Sequence, residues 1–375
     1  MGDTNPLVSV IILSYKAKGT LARAIHSVFM QDYPKIELIV ADDASPDFSS
    51  QYVSNRLFCC AGDNIVRTKL ITSDTNTGTV KNLNRALSVM SGRYFTVLGA
   101  DDVYADKGCL TAFMETFKRR GDKPLLVTGQ AEMCSENLNY VLRVLPDGDA
   151  KAILQRENPC ELFCRLAYDC CVPIVATCFK REFISRVNAF DDSYTYYEDY
   201  PTFLKMARDG IAPAYLDRVT TKHASGGIAN GNASANIQRG LYFDRRRMWK
   251  KEVNPYRDRL DAVSLERSIN RQNAERTDFA TGVGRTSSKW ARFVNRKAKT
   301  IKSFFFSKRL HRAVQSFRLA ILLLVCAAGI AASLSIDYSK AIVPILAVLC
   351  CIFIACSLWF LLSCICLVIR NRLIK

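Results

Sequence analysis

Three adjacent acidic pairs are the residues of this chain best suited to chemistry. Asp42-Asp43 and Asp101-Asp102 each close a short apolar run, and Glu198-Asp199 opens a later segment. Carboxylates are hard oxygen donors, so clusters of them at strand ends suit a metal and nucleotide site. In an open α/β sheet, ligands gather at the carboxyl ends of the strands, where loops present charge without burying it. Each pair also has a plain structural reading. The run from Asp42 to Asp47 is good turn chemistry, Asp102 can cap a helix, and acidic residues at a helix start favour its dipole.

Alternating strands and helices must position these pairs. The apolar runs 8–13, 36–41 and 94–98 read as buried strands. Thr20 can cap a helix whose apolar positions Leu21, Ile25, Val28 and Phe29 share one face. A further helix is expected over 79–90. Strand, helix, strand at this spacing implies a mostly parallel sheet with right-handed crossovers. The region 125–215 is less regular.

The runs VSVIILSYK at 8–16, SVFMQDYPKIELIVADDASPD at 27–47, NTGTVKNLNRAL at 76–87, GRYFTVLGADD at 92–102 and YYEDYPTFLKMARDG at 196–210 resemble the inverting family-two glycosyltransferases. That resemblance implies a GT-A fold, in which a Rossmann-like nucleotide-binding half joins an acceptor half. It places Asp42 and Asp43 at the edge of the nucleobase, with Ser14 and Tyr15 as a lining platform. Asn76, Gly78 and Asn84 match the loop and helix that approach the nucleotide. Relatives often carry Arg where this chain has Leu83, which leaves Lys81 as a cationic contact for the diphosphate or as a solvated surface lysine. Asp101 and Asp102 correspond to the Asp-x-Asp element that binds Mn²⁺ or Mg²⁺, although Gly99 replaces the first Asp. His223, in the loop after the last strand, is implied as a further metal or phosphate ligand. Glu198-Asp199 matches the acidic pair of the acceptor half, with Asp199 the catalytic base and Glu198 in support. Inversion requires such a carboxylate to take the hydroxyl proton in a single displacement.

Charge is unevenly distributed. Residues 1–236 hold 26 Lys+Arg against 27 Asp+Glu, 237–318 hold 22 against 7, and 319–375 hold 4 against 1. Basic charge concentrated just before an apolar stretch favours an anionic membrane surface and argues against a nucleic-acid partner. No charge interrupts 319–336 or 341–369, so both are expected to be transmembrane helices. The stretch 279–318 has eleven Lys/Arg and no acid, and Arg370, Arg372 and Lys375 follow the second run. Both flanks are therefore expected on the cytoplasmic side, in a multi-pass plasma-membrane protein whose catalytic domain faces the cytosol. Between 285 and 318 basic residues alternate with Trp290, Phe293, Phe304, Phe305 and Phe306, an interfacial amphipathic pattern. Six of the fifteen cysteines lie in the apolar C-terminus and no Cys-x-x-Cys pairs occur, as expected of reduced thiols.

The expected organisation is thus a glycosyltransferase domain over 1–236, a basic helical stalk with an interfacial segment over 237–318, and two membrane helices over 319–375. The expected activity is metal-dependent transfer of a hexosyl or N-acetylhexosaminyl group from a nucleotide-sugar, a UDP-sugar first, to a polyprenyl-linked acceptor in surface polysaccharide or glycolipid assembly. A polyprenyl-phosphate sugar synthase is the alternative within the class. An inactive nucleotide-sugar-binding scaffold, suggested by Gly99 and Leu83, is the alternative outside it. Two spans can also support association between copies, although no Gly-x-x-x-Gly pair specifies it.

Overall fold

Along β1 (Val8–Ser14), Val8, Val10 and Ile12 enter one buried cluster and Ile11 enters another. This is the alternation of a strand covered on both faces. In chain order follow α1 (Leu21–Phe29), β2 (Ile36–Asp42), α2 (Ser50–Cys59), β3 (Ile65–Thr72), α3 (Thr79–Val89), β4 (Tyr94–Gly99), β5 (Val103–Tyr104) and α4 (Cys109–Arg119). The second half holds β6 (Leu126–Cys134), β7 (Val141–Leu145), α5 (Gly148–Arg156), α6 (Pro159–Leu166), β8 (Thr177–Lys180), α7 (Glu182–Arg186), α8 (Tyr200–Arg208), β9 (Ala214–Ala224), α9 (Ala235–Met248) and α10 (Ala262–Thr281). The structure, a computed structural model, describes residues 5–281 apart from 18, 47, 60 and 226–234, all within one unit that runs Met1–Thr286.

The sheet order is β3-β2-β1-β4-β8-β6-β9-β5, with β7 paired to β6. Strands β3, β2, β1 and β4 are parallel, as expected. The expectation of a mostly parallel sheet fails beyond β4. There β4–β8, β8–β6, β6–β7 and β9–β5 are antiparallel, and only β6–β9 is parallel. The reason is local: β8 runs back between β4 and β6, so the two halves join through an antiparallel seam. One face of the sheet carries α1 and α4, and the other carries α3, α6 and α8. Stacked Phe95 and Phe179, with ring centroids 5.0 Å apart, cross the seam on the second face.

The segment 237–278, expected as a stalk, folds back onto the domain. Met248 and Val253 enter the same buried cluster as Phe203 and Leu204. Ser268 Oγ donates to the carbonyl of Ala167 (2.8 Å), and Arg271 pairs with Asp169 (2.6 Å). Among the described residues no helix is long and apolar enough to cross a membrane. The runs 319–336 and 341–369 and the segment 285–318 lie outside the described residues.

Candidate functional site

Asp42 and Asp43 stand where β2 ends, and both carboxylates are buried and engaged. Asp42 accepts Ser14 Oγ (3.0 Å), Ser45 Oγ (2.7 Å) and the Ser45 amide (2.8 Å), which fixes the turn after the strand. Asp43 accepts the amides of Thr77 (3.0 Å) and Gly78 (2.7 Å) and Thr77 Oγ1 (2.8 Å), donors at the start of α3. This is ordinary anion binding at a helix N-terminus, supplied here by the protein itself. Arg85, which the motif reading passed over, donates to the carbonyl of Asp42 (3.0 Å) and to Asn82 Oδ1 (2.6 Å) and lies 3.9 Å from Asp43. It puts a cation one residue after Asn84, where Leu83 leaves none. Ser14 is buried, so of the expected platform only Tyr15 faces solvent, at 41 % exposure. A cavity of about 240 Å³ opens beside Ser14 and Ser45, lined by Leu21, Phe48, Tyr52 and Val53 among others. Asn76 and Lys81 are exposed. Asn84 turns elsewhere, donating to the carbonyl of Phe190 (2.8 Å).

Gly99 ends β4, and the next acidic pair divides its work. Asp102 is buried and ties the β4 end to β9, accepting the amides of Gly99 (3.2 Å) and Ala224 (3.0 Å). It also holds His223, whose Nδ1 lies 2.9 Å from one carboxylate oxygen and 3.0 Å from the other. Asp101 is partly exposed. Its backbone carbonyl accepts Arg23 Nη2 (3.0 Å), while burial and the charge of Asp102 raise its carboxyl above the usual range. A Cβ added at Gly99 would stand 2.8 Å from Asp101 Oδ1 and 2.9 Å from Asp102 Oδ2. The two remaining carboxylates therefore occupy the space a side chain at 99 would need. Burial favours a neutral ring at His223, yet Asp102, Asp101 and Asp199 outweigh it and raise its pKa.

Glu198 and Asp199 precede α8, where Asp199 is the N-cap and accepts the Tyr200 amide (2.6 Å). Burial and the charge of Asp199 push the Glu198 carboxyl up to about 8. Burial also raises Asp199, against the pull of the Tyr200 amide and of His223. The two titrate as a pair. The charges of Asp102, Asp101 and Asp199 thus all act on His223.

The loop ahead of this pair is gripped from two sides. On one, Gly78 has φ of 90°, and an added Cβ would stand 3.0 Å from the Thr195 carbonyl. On the other, Asp244 of α9 accepts the amides of Thr195 (2.9 Å) and Tyr196 (2.8 Å). Gly240, one turn earlier, lets the Tyr196 ring approach to 2.2 Å from where its Cβ would be. Arg245 donates to Tyr197 Oη (3.2 Å). Reading 237–278 as a stalk passed over these residues. The available signal was Gly240-x-x-x-Asp244, a small residue and an acid on one helical face.

The site has few side chains to offer a divalent cation. Among the described residues no group of three or more His, Cys, Asp and Glu is arranged to hold a metal. Asp101 and the free ring nitrogen of His223 offer at most two protein ligands. That small set fits a hard cation that takes its other ligands from a diphosphate and water.

Residues 9–151 match the family described as Glycosyl transferase family 2. An uncharacterized glycosyltransferase of Rickettsia conorii is 25 % identical over 260 residues, which cover 67 % of this chain and 41 % of that protein. The UDP-Glc:alpha-D-GlcNAc-diphosphoundecaprenol beta-1,3-glucosyltransferase WfgD of Escherichia coli is 37 % identical over 98 residues, 26 % of this chain and 36 % of that one. The structure of the mannosyltransferase PcManGT from Pyrobaculum calidifontis with GDP-Man and Mn²⁺ aligns at 17 % identity and a TM-score of 0.48, over 85 % of this chain and 86 % of that one. The chain spans about 41 % of the length of the first curated relatives it matches. Asp42, Asp43, Asp101 and Asp102 all fall within residues 9–151, the part of the chain that is similar to glycosyl transferase family 2.

Proposed function

We propose that the chain is an inverting glycosyltransferase that moves a sugar from a nucleoside-diphosphate donor, a UDP-sugar first, to a hydroxyl of a lipid-linked acceptor at a membrane. The observation that carries this reading is the hold of Asp102 on His223 Nδ1 at 2.9 and 3.0 Å, next to Asp101, with the charge of Asp199 also acting on that ring. Donor metal chemistry and acceptor proton chemistry thereby share one site.

Asp199 takes the proton of the acceptor hydroxyl. As it does so, that oxygen forms a bond to the anomeric carbon, and the bond from that carbon to the diphosphate oxygen breaks with its electron pair. Burial raises both carboxyls, Glu198 up to about 8, so the pair shares one proton near neutral pH and its loss frees the carboxylate that acts as base. Asp101 and His223 would hold Mn²⁺ or Mg²⁺, which when bound neutralises charge on the departing diphosphate. Asp102 fixes the ring of His223 and so its free nitrogen. Tyr15 offers an exposed aromatic face, Asp42 and Asp43 set the loop beneath it, and Arg85 supplies a cation beside Asp43.

The lipid-linked acceptor is inferred from the sequence of the C-terminal part, with its uncharged runs 319–336 and 341–369 after a basic segment. The name of WfgD, whose substrate is a diphosphoundecaprenol-linked sugar, points the same way. Turnover of UDP-sugars with Mn²⁺ tests the reading. Wild-type protein should yield product of inverted anomeric configuration, and Asp199→Asn should not. Equal background rates in both would overturn it.

A further inference from the structure

Helix α9 has a second face. While Gly240, Asp244 and Met248 turn inward to the Thr195–Tyr196 loop and the core, Phe243, Arg246 and Arg247 follow i, i+3, i+4 spacing on one stripe, which Lys250 extends in the π-helical turn Trp249–Val253. Together with Lys251 they line one open depression. Residues 235–253 contain six Lys/Arg and two acids, and both acids are engaged elsewhere. Asp244 holds the loop, and Glu252 is paired with Arg208. Lys251 is paired with Asp191, whereas Arg246, Arg247 and Lys250 have no acidic partner among the described residues. Amid this charge Phe243 is 49 % exposed, with the Arg239 guanidinium 5.6 Å from its ring centre.

We propose that this outward stripe of α9 seats on an anionic phospholipid surface. Unpaired cations around an exposed aromatic ring match a surface that offers phosphate charge above an apolar layer, since the ring can sink where the charges stay wet. A nucleic acid is the poorer fit, because residues 1–236 are close to neutral and supply no wider basic footprint. The chain beyond α10 runs on through eleven Lys/Arg with no acid over 282–318, in keeping with an anionic surface. Because the inner face of α9 holds the loop ahead of Glu198-Asp199, lipid contact on its outer face would set the acceptor end of the site beside the headgroups. This goes beyond sugar transfer and stands or falls on lipid contact alone.

Lysine acylation followed by mass spectrometry reads the patch directly in the full chain. The protein is reconstituted in vesicles of phosphatidylcholine alone or with a phosphatidylglycerol fraction, and exposed Lys118 of α4 serves as internal control. Lys250 should react about fivefold more slowly in the anionic vesicles, recover in high salt, and leave Lys118 unchanged. The double variant Arg246→Glu with Arg247→Glu should lose that protection while it retains the wild-type melting temperature. Equal Lys250 rates in both vesicle types would overturn the proposal, as would protection by an oligonucleotide but not by lipid. Sugar transfer measured alongside separates the two readings: turnover that persists with an unprotected Lys250 removes this one and leaves the enzyme.

Discussion

Asp102 and His223, 121 residues apart in sequence, are joined at 2.9 and 3.0 Å through one ring nitrogen. The contact pins the end of β9 to the end of β4, and the Ala224 amide doubles it. An imidazole held at Nδ1 presents its other nitrogen in one direction only. Asp102 therefore acts through His223 rather than as a second open ligand. Asp102→Asn keeps an acceptor for the Ala224 amide but loses the charge that steadies the ring. Outer-shell changes of this kind cost about 10–100-fold in metal affinity or activity. A Mn²⁺ titration of turnover should show that loss as a higher metal requirement.

A carboxylate placed at position 99 should not help. In Gly99→Asp the new Cβ meets Asp101 Oδ1 at 2.8 Å and Asp102 Oδ2 at 2.9 Å, and a third negative charge joins two already crowded ones. Turnover should fall at least about tenfold, since a displacement near 1 Å in a site of this type can cost about 10²-fold. A gain in activity would mean that the Gly99 site relaxes freely.

Asp244 should behave as a positioning residue. It touches backbone amides two to four residues ahead of Glu198-Asp199 and lies on a different helix from either. Asp244→Ala leaves two amides without their acceptor and frees the loop, whereas Asp244→Asn retains one acceptor oxygen. The alanine variant should lose about tenfold in kcat with the donor KM near wild type, because the nucleotide side is built from other elements. Rescue by the asparagine variant separates positioning from a requirement for charge.

How legible this site was in the sequence depended on distance along the chain. Strands β1, β2 and β4 are largely apolar on both faces and end at Ser14, Asp42 and Gly99, so their ends and two of the acidic pairs could be read locally. Strand β8 has only four residues, and β7 is largely exposed, so neither has a pattern that marks it out. The antiparallel seam they help build was therefore missed. The partners of the acids were also out of reach. Nothing near Asp43 announces that Thr77 and Gly78 will fill its oxygens, and nothing near Tyr196 announces Gly240. The charged surface of α9 read as a stalk because its inner face is only Gly240, Asp244 and Met248.

The acidic pair makes a prediction in which stability and activity move oppositely with pH. The folded Glu198 carboxyl ionises at about 8, above the ordinary glutamate value of 4.5, so the folded state binds a proton that the unfolded chain has already released. Its contribution to stability is therefore full below about 4.5, declines as pH rises through the interval, and is gone above about 8. Glu198→Gln cannot ionise, so its melting temperature should match wild type near pH 4.5 and exceed it near pH 8. Activity should run the other way in the wild type, with kcat/KM rising with pH as the pair loses its shared proton. In Glu198→Gln that rise should shift to lower pH, because Asp199 no longer titrates against a neighbouring carboxylate. Melting curves and pH–rate profiles on the same two proteins check both signs. A variant less stable than wild type at pH 8, or a rate profile that does not shift, would show that the two carboxyls do not share a proton.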